Sequence, residues 1–415
     1  MARKMKDSGI EWIGEIPEGW EVVPVKRLCT MQAGKNLTSE QIAPEGTYPV
    51  YGGNGIRGFF SDYNCVGQFL TVGRQGALCG NVHKINGKVW ATEHAVITAP
   101  SSYAILDFLY YLLIGMDLNQ YVSSTAAQPG LAVGTLLNLK TCYTCSTLEQ
   151  TQISNYLNAK CSEIDTMLSR TRSSIEEYKK LKQAVITQAV TKGVRGEREM
   201  KNSKIEWVGN IPIDWNTIKL KYCTYIRARL GWKALKADEY VEIGFPFLSA
   251  FNIVNNTLQF TNLNYINQFR YDESPEIQLS NGDVLLVKDG AGIGKCAIVE
   301  NMPMPSTVNG SIAVVSVTNS LIPKYLYYYF LSKMFQQHID LLKDGMGVPH
   351  LFQSDLKEIK IAFPSKDEQK EIADYLDGKC AEIDKLIAKK EQLVKELENH
   401  KKSLIYEVVT GKREV

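Results

Sequence analysis

Two long stretches of this chain carry apolar residues at steps of three and four. The first runs through Ile153, Leu157, Cys161, Ile164, Leu168, Ile175, Tyr178, Val185 and Ala189. The second runs through Ile372, Leu376, Cys380, Ile383, Ile387, Val394, Leu397, Leu404 and Val408. Glu and Lys fill the remaining faces, so each stretch predicts an amphipathic helix with heptad spacing. Ser146 and Glu149 open one, Ser365 and Glu368 the other, at the Ser-x-x-Glu spacing of a capping box. Gly193 and Gly411 close them. A helix over 148–191 would be about 66 Å long, too long for one narrow stripe to be buried inside a small domain. The two stripes are expected to bury each other as an antiparallel coiled coil. Its pairing residues would be Ile153, Leu157, Ile164, Leu168 and Ile175 against Ile372, Leu376, Ile383, Ile387, Val394 and Leu397. Lys182 and Lys401 fall at one seam position, where a polar residue fixes register. The alternative is two separate helices, each packed on its own domain.

Ahead of each helix the pattern changes. Short apolar runs alternate with Gly/Asn turns, as in Tyr48-Pro-Val-Tyr-Gly-Gly-Asn-Gly-Ile56 and Gly282-Asp-Val-Leu-Leu-Val-Lys288, which predicts strands and hairpins. One amphipathic helix follows in each region, around Leu106–Val122 and Lys324–Leu342. These share a Leu-Tyr-Tyr core whose tyrosines read as packing residues. The fold class expected is mixed α/β (α+β). Two globular domains lie in tandem, each followed by a long helix, with boundaries at 1–147, 148–195, 196–364 and 365–415.

That plan is a duplication. Ser8, Ile10, Glu11, Trp12, Gly14, Ile16, Pro17 and Trp20 recur from Ser203 to Trp215 at an offset of 195. At the helix starts, Ile153, Tyr156, Leu157, Lys160, Cys161, Glu163 and Ile164 recur at an offset of 219. The second copy therefore carries 24 more residues between these markers, and the middles match poorly. Two modules share a frame and differ in what they present.

Composition narrows the class without naming a ligand. The chain has 415 residues, 44% hydrophobic and 22% charged, enough for two or more soluble domains. No apolar run approaches the length of a membrane span, and the basic N-terminus leads into Trp12 without an apolar signal core. Nine scattered cysteines suit a reducing cytoplasm. The net charge of +2 gives no strongly basic domain, so any nucleic acid must meet local patches or a partner.

Two strand–loop segments carry the candidate chemistry. Arg74 and Gln75 in one, Lys288 and Asp289 in the other, stand just before glycines that allow close backbone approach. Arg and Gln suit bidentate contacts to guanine and adenine edges. Arg57, Lys233 and Arg270 complete the candidate DNA-binding set; solvated charges on a surface hairpin are the alternative. Gly290-Ala-Gly-Ile-Gly-Lys-Cys296 is one residue short of a phosphate-binding loop and lacks its Ser/Thr, so it reads as a hairpin turn. Cys142-x-x-Cys145 has no second cysteine pair and reads as strand residues; Cys79, His83 and His94 have no counterpart in the second copy. No metal site, methyltransferase signature or catalytic triad is found, so no enzymatic activity is expected.

With these residues laid out, the chain resembles the specificity subunit of Type I restriction–modification systems over nearly its whole length. The resemblance rests on Ile-Glu-Trp-x-Gly-x-Ile-Pro opening each module, Tyr48–Gly55, Gly231–Tyr240, Asp289–Lys295, Gly345–His350 and the Glu-Gln helix starts. It implies a non-catalytic, cytoplasmic, DNA-binding subunit that recognises a bipartite, asymmetric site in double-stranded DNA. It also implies partners: two DNA methyltransferase subunits docked on the helices and, through the complex, restriction/translocase subunits. The chain itself would hold no cofactor; S-adenosylmethionine and ATP/Mg would belong to the partners. A coiled-coil adaptor whose domains bind proteins remains the alternative.

Overall fold

The structure, a computed structural model, describes residues 3–75, 79–122, 130–229, 235–342 and 349–415. The chain forms two compact units, each discontinuous in sequence: residues 1–172 with 391–415, and residues 173–390. The mixed α/β tandem-domain class and the two long helices are as expected. The first long helix runs Thr147–Lys192 and the second Lys366–Val409.

In the first unit, β1 (Cys29–Ala33), β2 (Tyr48–Gly52), β3 (Gly55–Phe60), β4 (Cys65–Gly73), β5 (Val82–Ala91) and β6 (Ala95–Pro100) form one sheet. Its order is β1-β6-β4-β5-β2-β3, antiparallel except where Val50 of β2 lies opposite Trp90 of β5. α1 (Leu106–Gly115) buries Phe108, Leu109 and Leu112, and α2 (Val133–Asn138) leads into the strand before the long helix. In the second unit, β7 (Thr224–Arg227), β8 (Val284–Val287), β9 (Cys296–Ile298) and β10 (Ile312–Val317) form an antiparallel sheet in the order β7-β10-β8-β9. That repeats the β1-β6-β4-β5 arrangement of the first unit. The extra length of the second copy falls between β7 and β8, at 228–283, where the first copy has only 34–64. The helix expected over Lys324–Leu342 is two helices, α3 (Pro323–Leu331) and α4 (Lys333–Leu342), parted at Ser332. Ser332 is extended at ψ 142, and its hydroxyl caps the Phe335 amide at 3.4 Å, so it ends one helix and starts the next. α5 (Gln353–Glu358) corresponds to α2.

The duplicated opening folds into a duplicated turn. Ser8 Oγ accepts from Ile10 N at 3.1 Å, and Ser203 Oγ accepts from Ile205 N at 3.1 Å. Gly14 and Gly209 take φ of 68° and 76°, which glycine alone adopts without strain. Each turn closes a small hairpin and delivers a tryptophan, Trp20 or Trp215, to the core with 1% or 0% exposure.

Those tryptophans explain the glutamates at the helix starts. The expected capping box is half formed: Ser146 and Ser365 hydroxyls accept from the Glu149 and Glu368 amides at 3.2 and 3.4 Å. The carboxylates do not reach back to the caps. Glu149 accepts from the Trp20 indole at 3.2 Å and from Arg3 at 2.6 Å. Glu368 accepts from the Trp215 indole at 2.9 Å and from Arg198. A buried indole N–H needs an acceptor more than an exposed cap does. Beside them, Gln150 and Gln369 each satisfy three backbone groups: Ile105 N, Tyr103 O and Thr144 O in one unit, Ile322 N, Ser320 O and Pro364 O in the other.

The helices pair antiparallel within each unit. Asp165 meets Lys401 at 2.7 Å and Arg172 meets Glu398 at 2.6 Å in the first; Lys182 meets Asp384 at 2.6 Å in the second. Lys182 and Lys401 thus sit in equivalent cross-helix ion pairs. The apolar stripe serves two partners at once. Ile153, Leu157, Ile164 and Leu168 join the core that contains Phe108 and Leu112, together with Leu404, Ile405 and Val408, while Val394 and Leu397 pack on it half-buried. In the second unit Ile372 and Leu376 join Ile186, Ala189 and Val190 in the core with Tyr325 and Phe330. Ile175 and Ile383 are buried, and Ile387 is half-buried. The Leu-Tyr-Tyr tyrosines also reach the helices: Tyr111 donates to Asn158 at 2.9 Å and Tyr328 to Asp377 at 2.7 Å.

Candidate nucleic-acid interface

Each unit carries a glycine hairpin in the same frame. In the first, Gly73 N donates to Asn81 O at 2.9 Å and Gly80 N to Gly73 O at 2.8 Å. In the second, Val287 N donates to Lys295 O at 2.8 Å and Gly294 N to Val287 O at 3.0 Å. Gly80 and Gly294 hold φ of 93° and 92°, so the two loops leave and re-enter their sheets at equivalent residues. The sequence Gly290–Lys295 is therefore a hairpin turn between β8 and β9, as its residues suggested. Residues 76–78 lie outside the described residues.

The base of each hairpin is zipped to the segment that enters the short helix. Leu131 N donates to Arg74 O at 2.9 Å, and Leu351 N donates to Lys288 O at 2.9 Å. Gln75 bridges Gly130 and Asp289 bridges His350 in the same antiparallel manner. These contacts make Arg74 equivalent to Lys288 and Gln75 to Asp289. They also align Gly130 with His350.

In the first unit the structure brings several candidates together. A Cβ on Gly53 would come within 2.9 Å of Gln75 O, so the Gly-Gly-Asn-Gly turn lies directly against the hairpin. Arg57 is exposed, and its stem crosses the face of Gly52, where any side chain would collide with it. Arg74 is half-buried and donates through Nε to Leu131 O at 3.2 Å, which orients its guanidinium. Asn81 donates to Asn54 at 2.6 Å; neither was singled out from sequence, and only the meeting of the two hairpins identifies them. Burial lowers the His83 imidazole below its usual range, favouring the neutral ring beside Gly55.

The second unit assigns its candidates differently. Lys288 is 8% exposed and its ammonium lies 2.8 Å from Asp289, which also pairs with His350. The His350 ring meets Phe352 edge to face at 4.5 Å. Arg270 is held by Glu239 and, at 2.7 Å, by Glu273. Both cations are thus committed to intramolecular carboxylates, and a desolvated paired charge is poorly placed to reach a base. Lys233 lies outside the described residues. Lys295, not chosen from sequence, is exposed at the hairpin's return and has no ion pair among the described residues.

The remaining motifs fall in the framework. Cys142 is buried in a strand, with its thiol 3.7 Å from Val409 O, while Cys145 is exposed beyond the strand's end. No group of three or more His, Cys, Asp or Glu side chains is placed to hold a metal ion among the described residues. No helix among them is long and apolar enough to cross a membrane.

Comparison with known proteins gives one consistent result. The profile of the Type I restriction modification DNA specificity domain matches residues 17–176 and 212–399. The chain is 44% identical over 117 residues to the Type I restriction enzyme EcoprrI specificity subunit of Escherichia coli, covering 27% of this chain and 29% of that protein. It is 28% identical over 268 residues to the MjaVIII specificity subunit of Methanocaldococcus jannaschii, covering 64% of this chain and 60% of that one. Both matches therefore span less than two thirds of the relative's length. Among solved structures, a chain from a study of complex assembly and conformational transition of the type I R-M system superposes with a TM-score of 0.71 at 15% identity. That superposition covers 96% of this chain and 99% of the other and shows a shared fold.

Proposed function

Since the chain belongs to the DNA specificity family of Type I restriction–modification systems, we propose that each of its globular domains reads one half of a split, asymmetric site in double-stranded DNA. The observation that carries this reading is the pair of glycine hairpins. Their backbones enter and leave at equivalent residues, while their side chains differ: Arg74-Gln75 with Asn81 in one, an internally paired Lys288-Asp289 with an exposed Lys295 in the other. A constant frame with divergent polar side chains is what two unlike half-sites require. Near-neutral net charge fits a subunit whose partners share the phosphate contacts.

In this reading the long helices dock two methyltransferase subunits and set the spacing between half-sites. Restriction/translocase subunits join through that complex. The chain supplies the address and no chemistry. S-adenosylmethionine would be held by the methyltransferase partner and ATP/Mg by the restriction partner. The test is to assemble the chain with its methyltransferase, methylate a library of random duplex DNA and sequence the modified positions. A two-part preference with a fixed gap is expected; modification without one refutes the proposal.

A further inference from the structure

The added stretch of the second domain has an unusual composition. From Ile243 to Phe269 there is no Asp, Glu, Lys, Arg or His, in a chain that is 22% charged, and there are eight Asn and Gln residues. The corresponding stretch of the first domain is ordinary, with Lys35, Glu40, Glu45, Arg57 and Asp62. The charge-free segment is only partly core: Phe247, Leu248, Ile253 and Ile266 are buried, but other members of it face water. Phe251 is 92% exposed and Ile243 is 91% exposed. Asn255, Gln259, Asn262 and Asn264 are exposed, and their amides make no side-chain hydrogen bond among the described residues.

The turn that presents Phe251 is fixed from both sides. Asn252 is 6% exposed; its carbonyl oxygen accepts from Ser249 N at 3.0 Å, and its amide donates to Thr261 O at 3.2 Å. Ser249 Oγ accepts from Phe251 N at 3.4 Å, and Ile253 anchors the next residue in the core with Leu285 and Val287. A Cβ on Gly292 would lie 3.8 Å from Ala250 and 3.6 Å from the Lys295 stem, so this turn neighbours the glycine hairpin and its exposed lysine. A rigidly held ring left in water, followed by unused amides and next to a cation, has the chemistry of a duplex edge. Asn and Gln pair bidentately with adenine, an apolar side chain contacts the thymine methyl, and an ammonium meets phosphate. Carboxylates here would repel the backbone, and buried cations would cost desolvation.

Resting on the DNA-reading proposal above, we infer that the second domain reads its half-site through Ile243–Phe269. Phe251 and the exposed amides contact base pairs, and Lys295 contacts the adjoining phosphate. The basic residues at 270 and 288 hold the loops in place instead.

The test uses the full chain assembled with its methyltransferase on the same random-duplex library. Phe251→Ala and the double variant Gln259→Ala/Asn264→Ala alter only exposed side chains on backbone of ordinary φ, so folding and co-purification should be unchanged. Each is expected to lower methylation of the wild-type target by about ten-fold or more and to relax the preference in one half-site only. If the wild type shows a bipartite preference but both variants keep its target and its rate within about two-fold, the inference is overturned. Loss of co-purification with the methyltransferase would also overturn it, marking the segment as a protein-binding surface. A wild type without bipartite preference instead removes the underlying reading.

Discussion

The two Trp–Glu–Arg clusters make a quantitative prediction because they share a sequence pattern and differ in burial. Glu368 is 1% exposed and pairs with Arg198, itself 18% exposed, while Glu149 and Arg3 are 24% and 31% exposed. Replacing Glu368 with Gln keeps an acceptor for the Trp215 indole but leaves the Arg198 guanidinium without its carboxylate. Breaking a buried pair costs roughly 3–5 kcal/mol. Asp214 at 3.6 Å and the partial exposure of Arg198 compensate in part, so about 2–3 kcal/mol is expected for Glu368→Gln. The same change at Glu149 removes a more solvated pair and should cost only about 1 kcal/mol. For a unit of this size the first corresponds to a Tm drop of roughly 5–10 °C. Hydrogen exchange locates the effect: protection should fall around residues 200–215 in one variant and around 5–20 in the other. Trp215→Phe combined with Glu368→Ala should cost less than the sum of the two, since both remove the same indole–carboxylate hydrogen bond. Equal costs at the two glutamates, or strict additivity with Trp215→Phe, would show that burial of the carboxylate does not govern these clusters.

Burial tends to raise the Glu149 carboxyl, but hydrogen bonds from Thr144, Arg3 and the Trp20 indole outweigh it and hold the group below its ordinary value. A depressed carboxylate stabilises the fold above its unfolded value, about 4.3, and that contribution fades as pH falls through the folded value. Glu149→Gln should therefore flatten the acid limb of the stability curve below about pH 4.3, measured by urea unfolding across pH; an unchanged slope counts against the assignment. At the hairpins, Gly80→Ala and Gly294→Ala place a side chain at φ near 90°, against Asn119 and Gln336 respectively. Each should cost roughly 1–3 kcal/mol and weaken DNA binding at one half-site, read by melting and by target profiling. Inserting one heptad into both long helices should lengthen the gap between half-sites while leaving the half-site sequences alone. An unchanged gap would refute the proposed ruler.

The sequence by itself determined the duplication, the mixed α/β class and the two helices, because those depend on short-range periodicity and on rare residues recurring at fixed offsets. It also located both glycine hairpins, since a left-handed glycine and its flanking strand are local features. What local pattern could not show was which side chains the fold would consume. Arg270 looks like a free cation until Glu239, 31 positions away, is brought against it beside Glu273 on its own helical turn, and Lys288 until burial turns its ammonium onto the neighbouring Asp289. Glu149 and Glu368 look like cap residues until a tryptophan more than a hundred positions away needs their carboxylates. The apolar stripe predicts helix pairing, but only tertiary packing shows Leu157 and Leu376 facing a domain core and the other helix together. Conversely, the exposure of Phe251 is invisible in sequence, where an isolated phenylalanine reads as core. Local pattern fixes conformation; the long-range partners decide which polar and apolar groups remain available to a ligand.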